Sequence, residues 1–198
     1  MFGDTYQLVF VTRDSIQAIS PNRATYDTFA QTQAMLNPDL NGIVFHAIVA
    51  TLSNPNMQSN TNVVAPVYLL SGTLVDTGSA GFWDGNHNAP IDVTQFGDSK
   101  FSDVWAGCSS ASGEGCLSMN TLGNLSAAVA GNSVRTDTGW AVDSTDTMNF
   151  NFMPIFAISQ ELTVTPLPAA LPLFATGLGV IGLLARRRKR KAAALAAA

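Results

Sequence analysis

Apolar and polar residues alternate along the first part of the chain in a way that predicts strands and one helix. Residues 6–12 are mostly β-branched or aromatic, which is typical of a strand. Ser20 and Pro21 are typical of an N-cap and a first helical position, and apolar residues then recur at helical spacing up to Ala34. The Asn-Pro pair at residues 37–38 is expected to end the helix.

Further strands are predicted on either side of a loop-rich middle. Residues 45–51 predict a second strand, and residues 63–75 predict a strand, a Ser-Gly turn and a short return strand. Residues 153–164 predict a closing strand, apart from Pro154 near its start. Because an unpaired backbone group in a buried strand costs about 1 to 3 kcal/mol, the opening strand is expected to pair with residues 155–162.

Regular periodicity is weak between residues 76 and 150. This stretch is rich in Gly, Ser, Asn and Asp, with aromatic anchors at Phe82, Trp83, Phe96, Trp105 and Trp140. A long loop inside a compact domain normally needs anchors or a function. The sequence therefore predicts one α+β domain whose second half is a loop region pinned by aromatic side chains.

The C-terminal segment has the pattern of a membrane span followed by a basic tail. Residues 169–185 contain no charged side chain. At about 1.5 Å per residue, a helix of that length covers roughly 25 Å, just short of the ~30 Å hydrocarbon thickness of a bilayer. A basic cluster beside such a span is normally retained on the cytoplasmic side, so the N-terminal domain is expected outside. The cluster consists of Arg186, Arg187, Arg188, Lys189, Arg190 and Lys191.

These patterns divide the chain into four predicted parts. Residues 1–164 form an exported α+β domain, 165–170 a Pro-rich linker and processing motif, 171–185 a transmembrane helix and 186–198 a basic cytoplasmic tail. An exported protein is expected to begin with a basic and then apolar leader, whereas residues 1–6 lead directly into the first strand. We therefore expect that the start is misplaced or that the sequence is a fragment.

Three interpretations of the C-terminal segment compete. The first is a plain single-span anchor, and the second is a dinucleotide-binding motif, because residues 177–182 match G-x-G-x-x-G. The second fails because the match lies inside an apolar run, with no strand before it and no acidic residue after it. The third interpretation is a sorting signal.

The sorting-signal interpretation rests on a resemblance. A Pro-x-Pro motif, an apolar stretch rich in Gly and Leu and a terminal Arg/Lys cluster are similar to the PEP-CTERM signal of Gram-negative bacteria. The motif is closest to the VPLPA-CTERM subtype, although Thr165 stands where that subtype usually has Val and seven residues follow the basic cluster. The resemblance implies recognition by an exosortase-type transpeptidase in the inner membrane, then transfer to the cell envelope, cell surface or extracellular matrix. The sorting motif consists of Pro166, Leu167, Pro168 and Ala169.

Charge and cysteine content agree with an exported domain. Residues 1–165 hold 14 acidic and four basic residues, a net charge of −10, which excludes attraction to nucleic acid or anionic lipid. Cys108 and Cys116 bracket a small polar loop that would close into a disulfide in an oxidising compartment, with two free thiols as the alternative. Two Cys at this spacing with no nearby His fit none of the usual zinc patterns.

A second resemblance concerns the exported domain. Motifs at residues 45–51, 67–70, 82–85 and 104–107 are similar, in order and interval, to the endostatin-type domain of collagens XV and XVIII. That domain is a member of the C-type lectin-like fold, and the ectodomains of many PEP-CTERM proteins are similar too. The calcium-coordinating triplets of sugar-binding lectins are absent, so the resemblance implies the fold and not lectin activity.

Candidate chemistry is sparse. His46 lies in a predicted strand and is expected to be structural, whereas His87 lies in a loop and is the better candidate for catalysis. No Gly-x-Ser-x-Gly elbow and no His-Glu-x-x-His motif is present. We expect neither a cofactor nor a metal; the alternative is Ca²⁺, because seven oxygen-bearing side chains crowd into 28 residues. A solvated acidic surface is the favoured interpretation of these residues, which are Asp76, Asp84, Asn86, Asn88, Asp92, Asp98 and Asp103.

Two functional classes follow. The first is a non-enzymatic envelope or matrix surface protein whose ectodomain is a binding or structural module, with extracellular polysaccharide as a possible partner. The second is an envelope hydrolase acting on polysaccharide or peptide around His87, and a plain membrane-anchored surface protein is a further alternative. A cleft with His87 beside carboxylates or a Ser favours the enzyme, whereas Trp83 and Trp105 buried as pins favour the module.

Overall fold

A computed structural model describes residues 4–125 and 127–164 of the 198-residue chain. Residues Asp4–Thr163 form a compact unit of strands with a few helices, which confirms the α+β class. The predicted sorting motif, transmembrane helix and basic tail lie outside the described residues. Within residues 4–125 and 127–164, no helix is long and apolar enough to cross a bilayer.

The elements follow one another in short segments. The helices are α1 (Arg23–Met35), α2 (Met57–Thr61) and α3 (Ser79–Phe82), with 3₁₀ turns at Pro38–Leu40, Ser118–Asn120 and Thr138–Trp140. The strands are β1 (Thr5–Val11), β2 (Ile16–Gln17), β3 (Phe45–Ala47), β4 (Val67–Leu69), β5 (Leu74–Asp76), β6 (Asp103–Trp105), β7 (Ala127–Asn132), β8 (Ser144–Met148), β9 (Phe152–Met153), β10 (Phe156–Ser159) and β11 (Leu162–Thr163).

The main sheet has the strand order β3-β10-β1-β4-β5, and β11 also pairs with β1. The opening strand β1 runs antiparallel to β10, with Val9 opposite Ile158, and parallel to β4. This confirms the predicted pairing of the opening and closing strands. The predicted strand, turn and return of residues 63–75 are also confirmed, as the antiparallel pair β4 and β5.

Both faces of the main sheet are buried. Val9 and Val11 of β1 pack into one apolar cluster together with Trp140, whereas Phe10 packs into a second cluster against Tyr26 and the rest of α1. Successive side chains of a strand point to opposite faces, so β1 contributes to both clusters. A strand with two buried faces is expected to be apolar, as residues 8–11 of β1 are.

The side chain of Gln7 links β1 to β10 and to the residues just before β4. Its amide nitrogen donates to the Ser159 carbonyl at 2.9 Å, and its amide oxygen accepts from the backbone N–H groups of Val64 at 2.8 Å and Ala65 at 3.3 Å. Gln7 is buried, so these bonds satisfy polar atoms that would otherwise cost about 1 to 3 kcal/mol each.

Three predicted boundaries were wrong. The helix begins at Arg23 and its N-cap position is Asn22; the hydroxyl of Ser20 instead accepts from the Asn22 N–H at 3.2 Å. The strand predicted over residues 45–51 is limited to Phe45–Ala47. Beyond it the backbone leaves the main sheet, and the Ala50 N–H donates to the Ala106 carbonyl. The single closing strand is divided into β9, β10 and β11.

The loop region predicted between residues 76 and 150 contains a sheet that sequence reasoning missed. In this sheet, β7 lies between β6 and β8, and both pairs are antiparallel. The sequence of β7 is Ala-Ala-Val-Ala-Gly-Asn, which has little intrinsic strand preference. Gly131 allows the main chain of Trp140 to lie where a side chain would otherwise stand, so tertiary packing sets this strand.

Most of the predicted aromatic anchors are buried. Trp83, Trp105, Trp140 and Phe82 are at most 6% exposed. Phe96 is the exception and was wrongly expected to be an anchor: it is 39% exposed, and the Arg13 guanidinium carbon lies 4.7 Å from its ring centroid.

The disulfide that the sequence suggested is present in the structure. Cys108 and Cys116 are joined with their Cα atoms 4.6 Å apart, and both residues are buried. The intervening loop packs on the rest of the domain, where the Gly113 carbonyl accepts from the Gln58 N–H at 3.1 Å. The disulfide therefore closes a loop that contacts α2.

Removing the disulfide is expected to lower the free energy of unfolding by about 2 to 3 kcal/mol, because it restricts a short loop in the unfolded chain. The variant is Cys108→Ala with Cys116→Ala, measured by urea denaturation followed by Trp fluorescence. As a control, a reductant should destabilise the native chain by the same amount and leave the double variant unchanged. Equal stability of the two proteins would contradict the prediction.

Candidate functional site

His87 lies inside the domain, among the rings of Phe82, Trp83 and Trp140, and not at the surface. We call these four rings the aromatic cluster. Its side chain is fully buried, and its ring centroid is 4.9 Å from that of Phe82 and 4.7 Å from that of Trp140. Its Nδ1 atom lies 2.6 Å from Oδ2 of Asp76, at the end of β5. The loop position that made His87 the catalytic candidate therefore delivers the ring into the core.

The environment of His87 favours a neutral imidazole. Burial lowers the pKa of His87 from its ordinary value of 6.5, and the Asp76 carboxylate only partly offsets this. A carboxylate accepts hydrogen bonds, so the neutral ring donates its Nδ1–H to Asp76. The pair thus places a hydrogen bond inside an apolar cluster.

Three ring nitrogens of the aromatic cluster are buried without a hydrogen-bond partner among the described residues. They are Nε2 of His87 and Nε1 of Trp83 and of Trp140. Trp140 also contacts Trp83, with ring centroids 5.8 Å apart. Ring packing, and not a hydrogen-bond network, therefore holds this part of the cluster together.

Three of the carboxylates considered for Ca²⁺ make separate local hydrogen bonds. Asp76 bonds to His87, Asp84 accepts from the Asn86 N–H at 2.7 Å, and Asp103 accepts from the amide of Asn132 at 3.0 Å. Within residues 4–125 and 127–164, no three His, Cys, Asp or Glu side chains gather closely enough to hold a metal ion.

His46 is the more accessible of the two histidines. Its neighbours in β3, Phe45 and Ala47, are buried, and strand alternation directs His46 to the other face, where its side chain is 42% exposed. Its Nδ1 atom lies 3.8 Å from Oδ1 of Asp27. The expectation that His46 is structural is thus only partly met, because this ring also faces solvent.

Asp27 links the start of α1 to β3. Its Oδ1 atom accepts from the Ala47 N–H at 2.9 Å, and its Oδ2 atom lies 3.2 Å from Nε of Arg23, one helical turn earlier. Residues four apart share one helix face, which explains why the side chains of Arg23 and Asp27 meet. The Asp27 carboxylate thus lies between the Arg23 guanidinium, with which it forms an ion pair, and the His46 imidazole.

His46 and Arg23 line a cleft of about 450 Å³. The cleft lies where β1, β3, α1, the end of α2 and the link from β10 to β11 meet. Ten of its eleven lining residues carry polar or charged side chains, and Val64 is the hydrophobic member. The other lining residues are Gln7, Ser59, Asn60, Thr61, Asn62, Ser159, Gln160 and Glu161.

Sequence reasoning missed this cleft. Its polar residues come from β1, α1, β3, residues 59–62 and residues 159–161, which are far apart in sequence. The signal available was a run of Asn, Ser and Thr beside Pro, which indicates a loop and nothing more specific. Only the pairing of β1 and β10 brings these segments together.

A second concavity of about 310 Å³ lies beside Phe96. Its lining includes Leu8, Leu40 and Leu70, and its charged member is Asp39. It contains neither histidine and no basic residue. The His46 cleft offers more hydrogen-bonding and charged groups, and we treat it as the candidate functional site.

Comparison with known proteins does not assign this chain to a family. No protein-family model matches it, and no curated protein sequence matches it significantly.

The buried pair of His87 and Asp76 is expected to make stability depend on pH. At pH values between the lowered pKa of folded His87 and the ordinary value of 6.5, the imidazole is protonated in the unfolded chain and neutral in the folded chain. The free energy of unfolding therefore falls as the pH drops below 6.5. The loss is at most about 1.4 kcal/mol per pH unit. Urea denaturation at pH 7.5, 6.5 and 5.5 measures it.

The variant His87→Gln with Asp76→Asn replaces the buried pair by two neutral amides and should flatten this dependence over the same pH range. His46→Gln, at the half-exposed histidine, is the matched control and should keep the native slope. A double variant with the slope of the native chain would show that His87 is not its source.

Proposed function

We propose that this chain is a surface protein of the bacterial envelope, sorted through a PEP-CTERM-type signal, with a non-enzymatic ectodomain that binds or builds extracellular polymer. The observation that carries the proposal is the order of segments. A compact unit ends at Thr163, and the sequence then continues with a Pro-x-Pro motif, an uncharged stretch at 169–185 and six consecutive cations. That order matches a domain to be displayed and a signal to be processed.

The compact unit has properties that support export. Its disulfide between Cys108 and Cys116 suits an oxidising compartment, where such bonds persist. Residues 1–165 carry a net charge of −10, which keeps a secreted domain soluble and repels nucleic acid. Both features are independent of the C-terminal pattern.

We also infer that the ectodomain has the endostatin-type, C-type lectin-like fold. The four motifs that carry this resemblance contribute to one apolar cluster, through Ile48, Val67, Trp83 and Val104. Segments that are separated in sequence and share one core are expected if the motifs are structural signatures of a common fold. The lectin-like fold would place loops on a rigid sheet for binding.

The burial of the tryptophans supports a binding or structural module over a hydrolase at His87. Trp83 and Trp105 are buried, and the indole nitrogen of Trp105 donates to the Ile16 carbonyl at 2.9 Å. Trp105 thus joins the sheet of β6, β7 and β8 to β2. The imidazole of His87 is buried within the same domain and interacts with Asp76, which is a stabilising arrangement.

The proposed route has two stages. The chain first resides in the inner membrane with its basic cluster at the cytoplasmic face, and an exosortase-type transpeptidase then acts near the prolines. Pro restricts its own backbone and that of the residue before it, which favours an extended linker that an enzyme can reach. The product would be displayed on the cell surface or in the extracellular matrix.

Mass spectrometry of the mature surface protein tests the sorting proposal. In a host with the transpeptidase, the product is expected to end near Pro166 or Pro168 and to lack the six cations, leaving a net charge close to −10. A host without the enzyme, and the variant Pro166→Ala with Pro168→Ala, should both retain the complete C-terminus. An intact C-terminus through Lys191 in the competent host would leave a plain membrane anchor.

A further inference from the structure

We propose that the His46 cleft binds a segment of an uncharged polysaccharide. This inference deepens the proposed function and rests on the ectodomain being a binding module. The chemistry of the lining carries it: amide, hydroxyl, imidazole and carboxylate groups surround about 450 Å³, a volume within the range of small-molecule sites. Pockets for apolar ligands are lined mostly by hydrophobic side chains, whereas ten of the eleven residues that line this cleft carry hydrogen-bonding side chains.

The floor of the cleft is held in place by internal bonds. Gln7 and Ser159 are buried; Ser159 Oγ accepts from the Leu8 N–H at 2.8 Å and donates to the Gln160 carbonyl at 2.7 Å. Asn60 donates from its amide nitrogen to the carbonyls of Val49 at 3.1 Å and Asn54 at 2.9 Å. A binding surface fixed in this way loses little conformational freedom when a ligand binds.

Several hydrogen-bonding side chains at the rim of the cleft are not used in bonds within the described residues. The side chains of Asn62, Gln160 and Glu161 are exposed and make no hydrogen bond or ion pair within the described parts of the chain. The amide oxygen of Asn60 is likewise unused there, and His46 is half exposed. Amides both donate and accept hydrogen bonds, as sugar hydroxyls do, so a polyhydroxylated chain matches this rim.

The charges that line the cleft favour an uncharged polysaccharide over an acidic one. The Arg23 guanidinium lies against Asp27 at 3.2 Å, so the main cation of the cleft is already paired. Glu161 adds a carboxylate that has no partner among the described residues, in a domain whose net charge is −10. An acidic polysaccharide would meet repulsion there, whereas an uncharged one would not.

The chain contains just two histidines, which provides a direct test. The full-length chain, labelled with ¹³C-histidine in a zwitterionic detergent, is titrated with cellohexaose, maltohexaose, xylohexaose and mannohexaose, and with an alginate oligomer as the acidic comparison. Binding of a neutral oligosaccharide is expected to shift the imidazole C–H NMR signals of His46, while those of buried His87 stay in place.

Variants of the rim give the second readout. Gln160→Ala and Glu161→Ala each remove a hydrogen-bonding side chain from the rim and are expected to weaken binding of the neutral oligosaccharide roughly fivefold, the equivalent of one hydrogen bond. Asp98→Asn, which removes an exposed carboxylate outside the cleft, is the charge-matched control and should leave binding unchanged.

Three outcomes would overturn the proposal: no neutral oligosaccharide in the panel binds, alginate alone binds, or binding persists unchanged in both rim variants. The measurement uses purified protein and does not depend on processing. Failure here would leave the sorting proposal standing, and an unprocessed C-terminus in the host would leave the binding result standing.

Discussion

The domain depends on the pairing of β1 between β10 and β4 while both of its faces are buried. Val9, Phe10 and Val11 are fully buried, and each such side chain contributes about 1.5 to 3 kcal/mol relative to an exposed one. Burial on both faces requires that the backbone groups of the strand be paired, and β10 on one side and β4 on the other pair most of them, while the Val93 carbonyl accepts from the Val11 N–H. The two ends of the domain are thereby fixed to each other.

The two faces of this sheet support different kinds of structure. On one face, α1 packs through Tyr26 and Ala30, a helix-on-sheet arrangement with regular periodicity. On the other face, Phe82, Trp83 and Trp140 pack edge to face above irregular segments. Large rings bury much area per residue, so a few of them hold segments that have little regular hydrogen bonding of their own.

The same pairing gives the two histidines opposite environments. His46 lies on β3, which pairs with β10, and its side chain faces away from the core toward the cleft lined by Gln7 and Gln160. His87 follows α3 and is drawn into the aromatic cluster, where Asp76 satisfies its Nδ1 atom. Fold position, and not the loop or strand character of the local sequence, decides which imidazole reaches solvent.

Local sequence was sufficient for β1, α1 and the β4–β5 hairpin, because their apolar spacing, β-branched residues and turn residues act over a few positions. The sequence alone also carries the case for a C-terminal sorting signal, which depends on composition and order. Tertiary structure decided the rest. The strand β7 contains mostly Ala and Gly and exists because β6 and β8 flank it, and the cleft joins residues about 150 positions apart through the pairing of β1 with β10. Such features arise from long-range burial and backbone pairing, which no local pattern encodes.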